Sequence, residues 1–129
     1  MNVLVIEDNE QNLYLVRFLL EARGHRITEA RSGPEGIAAA RAAVPDLILL
    51  DIQLPQIDGY AVAQALRGNP AFASVPIVAV TSYAMVSDRV KALAAGCDAY
   101  IEKPIDPDSF AAQVETAAAA GHRRQQGAS

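Results

Sequence analysis

Short, continuous runs of apolar residues recur along the chain, and most of them end in a polar residue. Three such runs are Val3–Ile6, Leu47–Leu50 and Ile77–Val80. Uninterrupted aliphatic runs of this length are typical of strands buried on both faces of a parallel sheet. The segment His25–Ala30 alternates polar and apolar residues instead, which predicts an edge strand. A fifth strand is predicted around Tyr100–Ile101.

Between the strands, apolar residues recur at helical spacing. Leu13, Val16 and Leu20 indicate the first helix, with Asn9 as its N-cap and Gly24 as its stop. The other helices are predicted from Ser32 with Glu35, Gly59 to Leu66, Val90 with Leu93 before Gly96, and Phe110 with Val114 after Asp106-Pro107. Five strands alternating with five helices predict one doubly wound α/β domain over residues 1–120. Residues 121–129 lack periodicity, and we expect a disordered tail there.

The polar residues that end the strands form the candidate site. Asp51 directly follows the central apolar run, and Glu7-Asp8, Thr81 and Lys103 close three other strands. Because the carboxyl ends of parallel strands meet at one edge of the sheet, these side chains should lie together. Carboxylates in such a group repel one another unless a cation offsets them, and their oxygens suit Mg²⁺. A carboxylate nucleophile, a metal, an ammonium and a hydroxyl together predict a phosphoryl-group site.

Composition narrows the class of protein further. The chain has 129 residues, of which 51% are apolar, and its net charge is −4, which argues against a direct nucleic-acid binder. Cys97 is the only cysteine, so no internal disulfide can form, and we expect a buried structural thiol in a reducing compartment. The first apolar run is too short for a signal peptide or a membrane span. We therefore expect a soluble cytoplasmic protein, and the Met1 start favours a free-standing one without an output domain.

Four segments together resemble the receiver domain of two-component response regulators. They are Ile6-Glu7-Asp8-Asn9, Leu50-Asp51-Ile52-Gln53-Leu54-Pro55 with Asp58-Gly59, Val80-Thr81-Ser82, and Glu102-Lys103-Pro104-Ile105. Each motif is weak alone, but the set is specific and covers residues 1 to about 120 in the right order. The resemblance implies a flavodoxin-like fold with strand order 2-1-3-4-5. It also implies a signalling module that catalyses only its own phosphorylation and dephosphorylation.

The resemblance further implies a role for each site residue. Asp51 would accept a phosphoryl group from a phosphohistidine on a sensor histidine kinase or a histidine phosphotransfer protein. Asp8 and Asp51 would bind Mg²⁺ directly, with Glu7 acting through a water and Gln53 through its backbone carbonyl. Gln53 and Tyr83, each two residues beyond a site residue, should flank the path of an attacking water.

Three further positions match the family pattern. Thr81 would hydrogen-bond the phosphoryl group, and Lys103 would pair with one of its oxygens. The Lys103-Pro104 bond would be cis, which is a minority form of X-Pro bonds. Tyr100 matches the switch aromatic, which turns inward as Thr81 is drawn toward the phosphate.

We expect the output surface to comprise the fourth helix, the fifth strand and the fifth helix. Phosphorylation would change this surface, and a downstream protein partner would read the change. Both helices carry alanine runs, which we expect to form a smooth docking surface. The alanines are Ala92, Ala94, Ala95 and Ala117 to Ala120.

Three alternatives remain open from the sequence. The chain could be a receiver fragment of a hybrid histidine kinase, or an adaptor that works without phosphorylation. An aspartyl-nucleophile phosphatase of the haloacid-dehalogenase type is disfavoured, since Gln53 stands where that chemistry needs an acid/base Asp. His25 and His122 are expected to be ordinary solvent-exposed residues.

Overall fold

A computed structural model describes residues 1–54, 57–82 and 85–127, with side chains described through residue 120. Five parallel strands form one sheet in the order β2-β1-β3-β4-β5, which confirms the predicted topology. The strands are β1 Asn2–Ile6, β2 Arg26–Ala30, β3 Leu47–Asp51, β4 Ile77–Thr81 and β5 Ala99–Glu102. The α-helices are α1 Glu10–Glu21, α2 Gly33–Ala42, α3 Gly59–Arg67, α4 Val86–Ala95 and α5 Phe110–Gly127, and a short 3₁₀ helix spans Pro70–Phe72.

The helix starts follow from side chains that the sequence places at the caps. Asn9, Ser32 and Asp58 each accept a backbone N–H from three residues further on, at 2.9, 3.2 and 2.9 Å. Each bond satisfies one of the unpaired donors of a first turn. Gly24 follows α1 with a φ of +87°, a conformation that favours glycine.

The core lies in two layers, one on each face of the sheet. One layer contains Leu4, Ile6, Ile48, Leu50 and the buried face of α3. The other contains Val3, Val5, Leu47, Leu49 and apolar residues of α1 and α5, among them Leu13, Val16, Phe110 and Val114. Consecutive residues of β1 and β3 thus alternate between the layers, because successive side chains of a strand point to opposite faces. This explains why both strands read as unbroken apolar runs.

Helix α4 packs differently from the expectation. Ala92 and Ala95 are buried, as is Ala117 of α5, so the prediction of an alanine docking surface is wrong for these three residues. The larger residues of α4 face outward instead, with Val90 60% and Leu93 58% exposed. Small residues allow the helix to approach the sheet closely, and the bulky residues are left on the outer face.

The last helix also differs in its bounds. Asp106 accepts the backbone N–H of Asp108 and the Ser109 hydroxyl, both at 3.0 Å, within a turn that precedes the helix. The helix therefore begins at Phe110, later than Asp106-Pro107 suggested. It extends to Gly127, into the segment 121–129 for which we expect a disordered tail, and that expectation stays a prediction.

His25 is more enclosed than expected. Its side chain is only 11% exposed, and Nε2 lies 2.8 Å from Glu115 Oε2. Arg23 also binds the Glu115 carboxylate, so two basic residues after α1 hold α5. The prediction of a freely exposed His25 is thus wrong, because α5 packs beside it. His122 lies outside the described side chains.

Cys97 is buried between the end of α4 and the start of β5, with 5% of the residue exposed. Burial raises the pKa of its thiol to about 12. Across the described helices, none combines the length and apolar character that a membrane crossing requires.

Candidate functional site

The sheet register brings the predicted residues to one edge. Ile6 pairs with Leu50, and Thr81 pairs with Glu102, so the neighbouring strands end at similar heights. Asp51 is the last residue of β3, while Glu7 and Lys103 directly follow β1 and β5. Carboxylate oxygens of Glu7, Asp8 and Asp51 all lie within 4.8 Å of one another.

Lys103 joins two of these carboxylates. Its Nζ lies 3.0 Å from Glu7 Oε1 and 3.4 Å from Asp51 Oδ2, and its side chain is 15% exposed. Both carboxylate side chains are almost fully buried, whereas Asp8 is exposed. The Lys103 ammonium thus faces two buried carboxylates, and the carboxylate of Asp8 lies beside them. The cluster carries excess negative charge, which a divalent cation would offset.

Glu7 shows the effect of this excess. Burial and the neighbouring Asp51 carboxylate raise the pKa of Glu7 to about 7, although Lys103 opposes the shift. The second oxygen, Oε2, is buried and has no hydrogen-bond partner among the described residues. A buried acceptor normally has a partner, so an unpaired oxygen at this polar cluster is consistent with a water or an ion bound there. This donor set fits Mg²⁺.

The backbone after Asp51 is tightly constrained. The N–H of Gln53 donates to Asp51 Oδ1 at 2.9 Å, which fixes the carboxylate. The N–H of Gly59 donates to the carbonyl of Ile52 at 3.0 Å. A Cβ at Gly59 would lie 2.5 Å from Ile52 Cα and 2.6 Å from the Asp51 carbonyl oxygen. Only glycine therefore allows α3 to start this close to the acidic residue.

Thr81 is fully buried at the end of β4 and contacts the neighbouring loop. Its hydroxyl donates to Gln53 Oε1 at 3.3 Å, and the same oxygen accepts the N–H of Ser82 at 2.9 Å. Sequence reasoning assigned Gln53 a backbone role and a place beside a water path, and it missed this side-chain contact. The adjacency of β3 and β4 in the predicted strand order is the signal that could have suggested it.

Tyr100 lies half-buried in β5. Its hydroxyl is already buried, with no hydrogen-bond partner among the described residues. The guanidinium of Arg89, from α4, lies over the ring at 5.3 Å from its centroid. The ring thus connects β5 with α4. Tyr83, the other residue expected near the water path, lies outside the described residues.

The bond between Lys103 and Pro104 is cis, the form that the resemblance implies. The backbone N–H of Lys103 donates to the Thr81 carbonyl at 2.8 Å. The structure therefore brings Glu7, Asp8, Asp51, Thr81 and Lys103 to one edge of the sheet, with Gln53 between Asp51 and Thr81.

The sheet has the order 2-1-3-4-5, with buried acidic residues and a lysine at its carboxyl edge. This arrangement fits a protein that receives a phosphoryl group. The family model for the response regulator receiver domain matches residues 3–115. The chain belongs to this family, and it is a phosphoacceptor signalling module.

Similar proteins agree with this assignment. The polar-differentiation response regulator DivK of Brucella ovis is 43% identical over 109 residues, covering 84% of this chain and 89% of DivK. The receiver domain of a sensor histidine kinase from Pseudomonas aeruginosa, solved with a magnesium ion in its active-site cleft, has a TM-score of 0.83 and 30% identity. That match covers 92% of this chain and 97% of the other. A CheY-like receiver domain protein from Methanospirillum hungatei has a TM-score of 0.86 and 26% identity, with coverage of 95% and 97%.

Proposed function

We propose that this chain acts in a two-component phosphorelay and that Asp51 receives the phosphoryl group. The observation that carries the proposal is the contact of Lys103 Nζ with both Glu7 and Asp51, at 3.0 and 3.4 Å, within a cluster of three carboxylates. Asp51 is the last residue of a buried strand and lies at the carboxyl edge of the sheet, the place where ligands bind in open α/β sheets. Receiver domains take phosphoryl groups from histidine kinases, and we infer a histidine kinase or a histidine phosphotransfer protein as the donor.

The transfer is a substitution at phosphorus. A carboxylate oxygen of Asp51 attacks the phosphorus of a phosphohistidine, and the P–N bond breaks with its electron pair left on the imidazole, which then takes up a proton. The N–H of Gln53 holds the other carboxylate oxygen in place at 2.9 Å. Lys103 already contacts Asp51 and is positioned to pair with a phosphoryl oxygen, and the Thr81 hydroxyl would donate to another.

The carboxylates would also hold Mg²⁺. Asp8 and Asp51 would bind it directly, Glu7 through a water, and Gln53 through its backbone carbonyl. When bound, the metal neutralises negative charge on the phosphoryl oxygens. The buried, unpaired Oε2 of Glu7 supports this assignment, and the related Pseudomonas receiver domain holds magnesium in its cleft.

Incubation with acetyl phosphate and Mg²⁺ tests the assignment of Asp51. We expect one mass increase of about 80 Da, the mass of one phosphoryl group, lost in Asp51→Asn and kept in Asp108→Asn, a change at an exposed carboxylate. Absence of modification in the wild type would instead support an adaptor that works without phosphorylation. Continuous hydrolysis of the donor without a lasting modification would identify a phosphatase.

We infer that the output surface is formed by α4, β5 and α5. On α4, Val86, Val90 and Leu93 recur at helical spacing and are 79%, 60% and 58% exposed. These three exposed apolar residues lie on a helix whose small residues Ala92 and Ala95 already cover the sheet, and they favour contact with a protein partner. Arg89 and Tyr100 connect this helix to β5. A downstream protein would distinguish the phosphorylated from the unphosphorylated state of this surface. The expected cytoplasmic location of the protein stays a prediction.

Amide chemical shifts test this output surface without a known partner. On phosphorylation, we expect shifts to extend from the Asp51 loop into residues 85–118. In Tyr100→Ala, Asp51 should still accept phosphate, but the shifts in α4 should largely disappear. Tyr14→Ala, which removes an aromatic ring exposed on α1, should keep them. Shifts confined to the Asp51 loop in the wild type would refute the output surface.

A further inference from the structure

The side chain of Gln53 is hydrogen-bonded to Thr81, the residue expected to move when Asp51 is phosphorylated. Oε1 of Gln53 accepts the Thr81 hydroxyl at 3.3 Å and the Ser82 N–H at 2.9 Å. Its own backbone N–H binds Asp51 Oδ1 at 2.9 Å. One residue thus contacts both the proposed phosphoacceptor and the proposed switch residue, through different groups.

These contacts create a competition. A threonine hydroxyl has a single proton and donates one hydrogen bond at a time. When that proton points to Gln53 Oε1, it is not available to a phosphoryl oxygen on Asp51. Thr81 is fully buried, so its hydroxyl has little access to water as an alternative acceptor.

We propose that the Gln53 side chain is a latch that holds Thr81 in the unphosphorylated position and sets the cost of switching. This inference rests on the proposed phosphoacceptor role of Asp51. Gln53 acts here through Thr81, so it is a positioning residue. Phosphorylation releases the latch when the Thr81 hydroxyl exchanges the amide oxygen for a phosphoryl oxygen.

The latch is distinct from the two roles that the sequence suggested for this position. A metal-binding carbonyl belongs to the backbone and does not depend on the side chain. A role beside the water path affects the lifetime of the phosphorylated protein, and not the equilibrium between the two positions of Thr81. Gln53→Met separates these roles, because it removes the amide oxygen at similar volume and keeps the backbone groups. Since Gln53 is exposed, the substitution should leave the fold unchanged.

The experiment measures binding of beryllium trifluoride, a phosphoryl analogue, in saturating Mg²⁺ by titration. This probe avoids hydrolysis, so lifetime does not enter. We expect Gln53→Met to raise the affinity about twofold to tenfold, the equivalent of one net hydrogen bond. The control Gln64→Met, at an exposed glutamine of α3, should bind as the wild type does.

Thr81→Val provides the decisive background, because it removes the hydroxyl at similar shape. There, Gln53→Met should no longer change the affinity. An equal gain with and without the hydroxyl would overturn the latch, as would no gain or a loss in the Thr81 protein. Failure of the wild type to bind the probe through Asp51, judged against Asp51→Asn, would refute the phosphoacceptor role and the latch together.

Discussion

Two clusters that pair a basic residue with buried carboxylates lie at opposite ends of the strands. They differ in how completely their polar atoms are hydrogen-bonded. At the amino ends of β4 and β5, Arg67 donates to Asp98 Oδ2 at 2.6 Å and to the carbonyls of Gly96 and Phe72 at 2.8 Å. Asp98 Oδ2 also accepts the N–H of Ile77 at 2.9 Å. These four hydrogen bonds all join groups of the protein itself.

The cluster at the carboxyl edge is incomplete by comparison. Lys103 faces two buried carboxylates, and Glu7 Oε2 has no partner among the described residues. The internal hydrogen bonds of the first cluster hold α3, α4 and β5 together, whereas the second cluster has an unused acceptor, which we propose is used when a metal ion binds. The difference teaches that burial and charge alone do not identify a functional site. A buried charged cluster in which an acceptor lacks a hydrogen-bond partner is the better indicator of such a site.

The largest expected effect is on the satisfied cluster. Arg67→Ala leaves the Asp98 carboxylate, whose side chain is 4% exposed, without its cation. We expect the free energy of unfolding to fall by about 3–5 kcal/mol, measured by urea denaturation. Arg31→Ala breaks an exposed pair with Glu10, and because surface ion pairs contribute little, it should lower the free energy of unfolding far less. Equal losses in the two variants would contradict the comparison.

A second prediction concerns the incomplete cluster and pH in the absence of metal. Since the pKa of Glu7 is raised from 4.5 to about 7 by burial and by Asp51, the folded protein binds this proton more tightly than the unfolded chain. The associated stability is fully present below pH 4.5 and is lost as the pH rises through about 7. The loss should be on the order of 3 kcal/mol.

Glu7→Gln should remove this part of the pH dependence, and Glu35→Gln, at an exposed glutamate, should keep it. Denaturation at several pH values, with EDTA present, measures both. The same slope in Glu7→Gln as in the wild type would mean that another group titrates. Saturating Mg²⁺ should also flatten the wild-type profile, because a cation favours the ionised carboxylate.

The third prediction concerns Asp8, which is exposed and thus costs little to neutralise. Asp8→Asn should weaken Mg²⁺ binding at least about tenfold, since even indirect ligands contribute this much. Stability should be unchanged or slightly higher, because repulsion with Glu7 and Asp51 is relieved. Titration calorimetry and urea denaturation give the two readouts. Undiminished Mg²⁺ affinity would show that the metal assignment is wrong.

The smallest effect is expected at Tyr100. Its hydroxyl is buried without a partner among the described residues, so removal should cost nothing. Tyr100→Phe should change the free energy of unfolding by less than about 1 kcal/mol, toward greater stability. A clear loss of stability would indicate that the hydroxyl has a bound water or another partner in solution. Tyr14→Phe, at an exposed ring on α1, is the matched control.

Most of the fold was predictable from the sequence, because unbroken apolar runs and capping residues report local physics directly. The location of the candidate site could be predicted from the rule that parallel strands end at one edge, because its residues end four of the five strands or directly follow them. The Arg67–Asp98 pair was not predictable, since two charged residues 31 positions apart carry no periodic signal.

The exposed apolar face of α4 and the contact of the Gln53 side chain could not be predicted either, for a related reason. Val90 and Leu93 have the spacing of residues that face a core, but in the structure the alanines of α4 are buried instead. Whether the large or the small side chains of a helix face inward depends on how closely the neighbouring helix and strand pack against it. The contact from Gln53 to Thr81 depends on side-chain orientation across two strands. Such orientation is a property of tertiary structure.

Cys97 provides a chemical probe of the proposed output surface, because it lies where α4 meets β5. Its thiol is buried, and its pKa of about 12 leaves almost no thiolate at neutral pH, so an alkylating reagent reacts only while the junction of α4 and β5 is open. As the chain has no other cysteine, the rate of labelling reports on this one place. Mass spectrometry of the labelled protein would thus measure the fraction of time for which that junction is open, with and without a phosphoryl group at the opposite edge of the sheet.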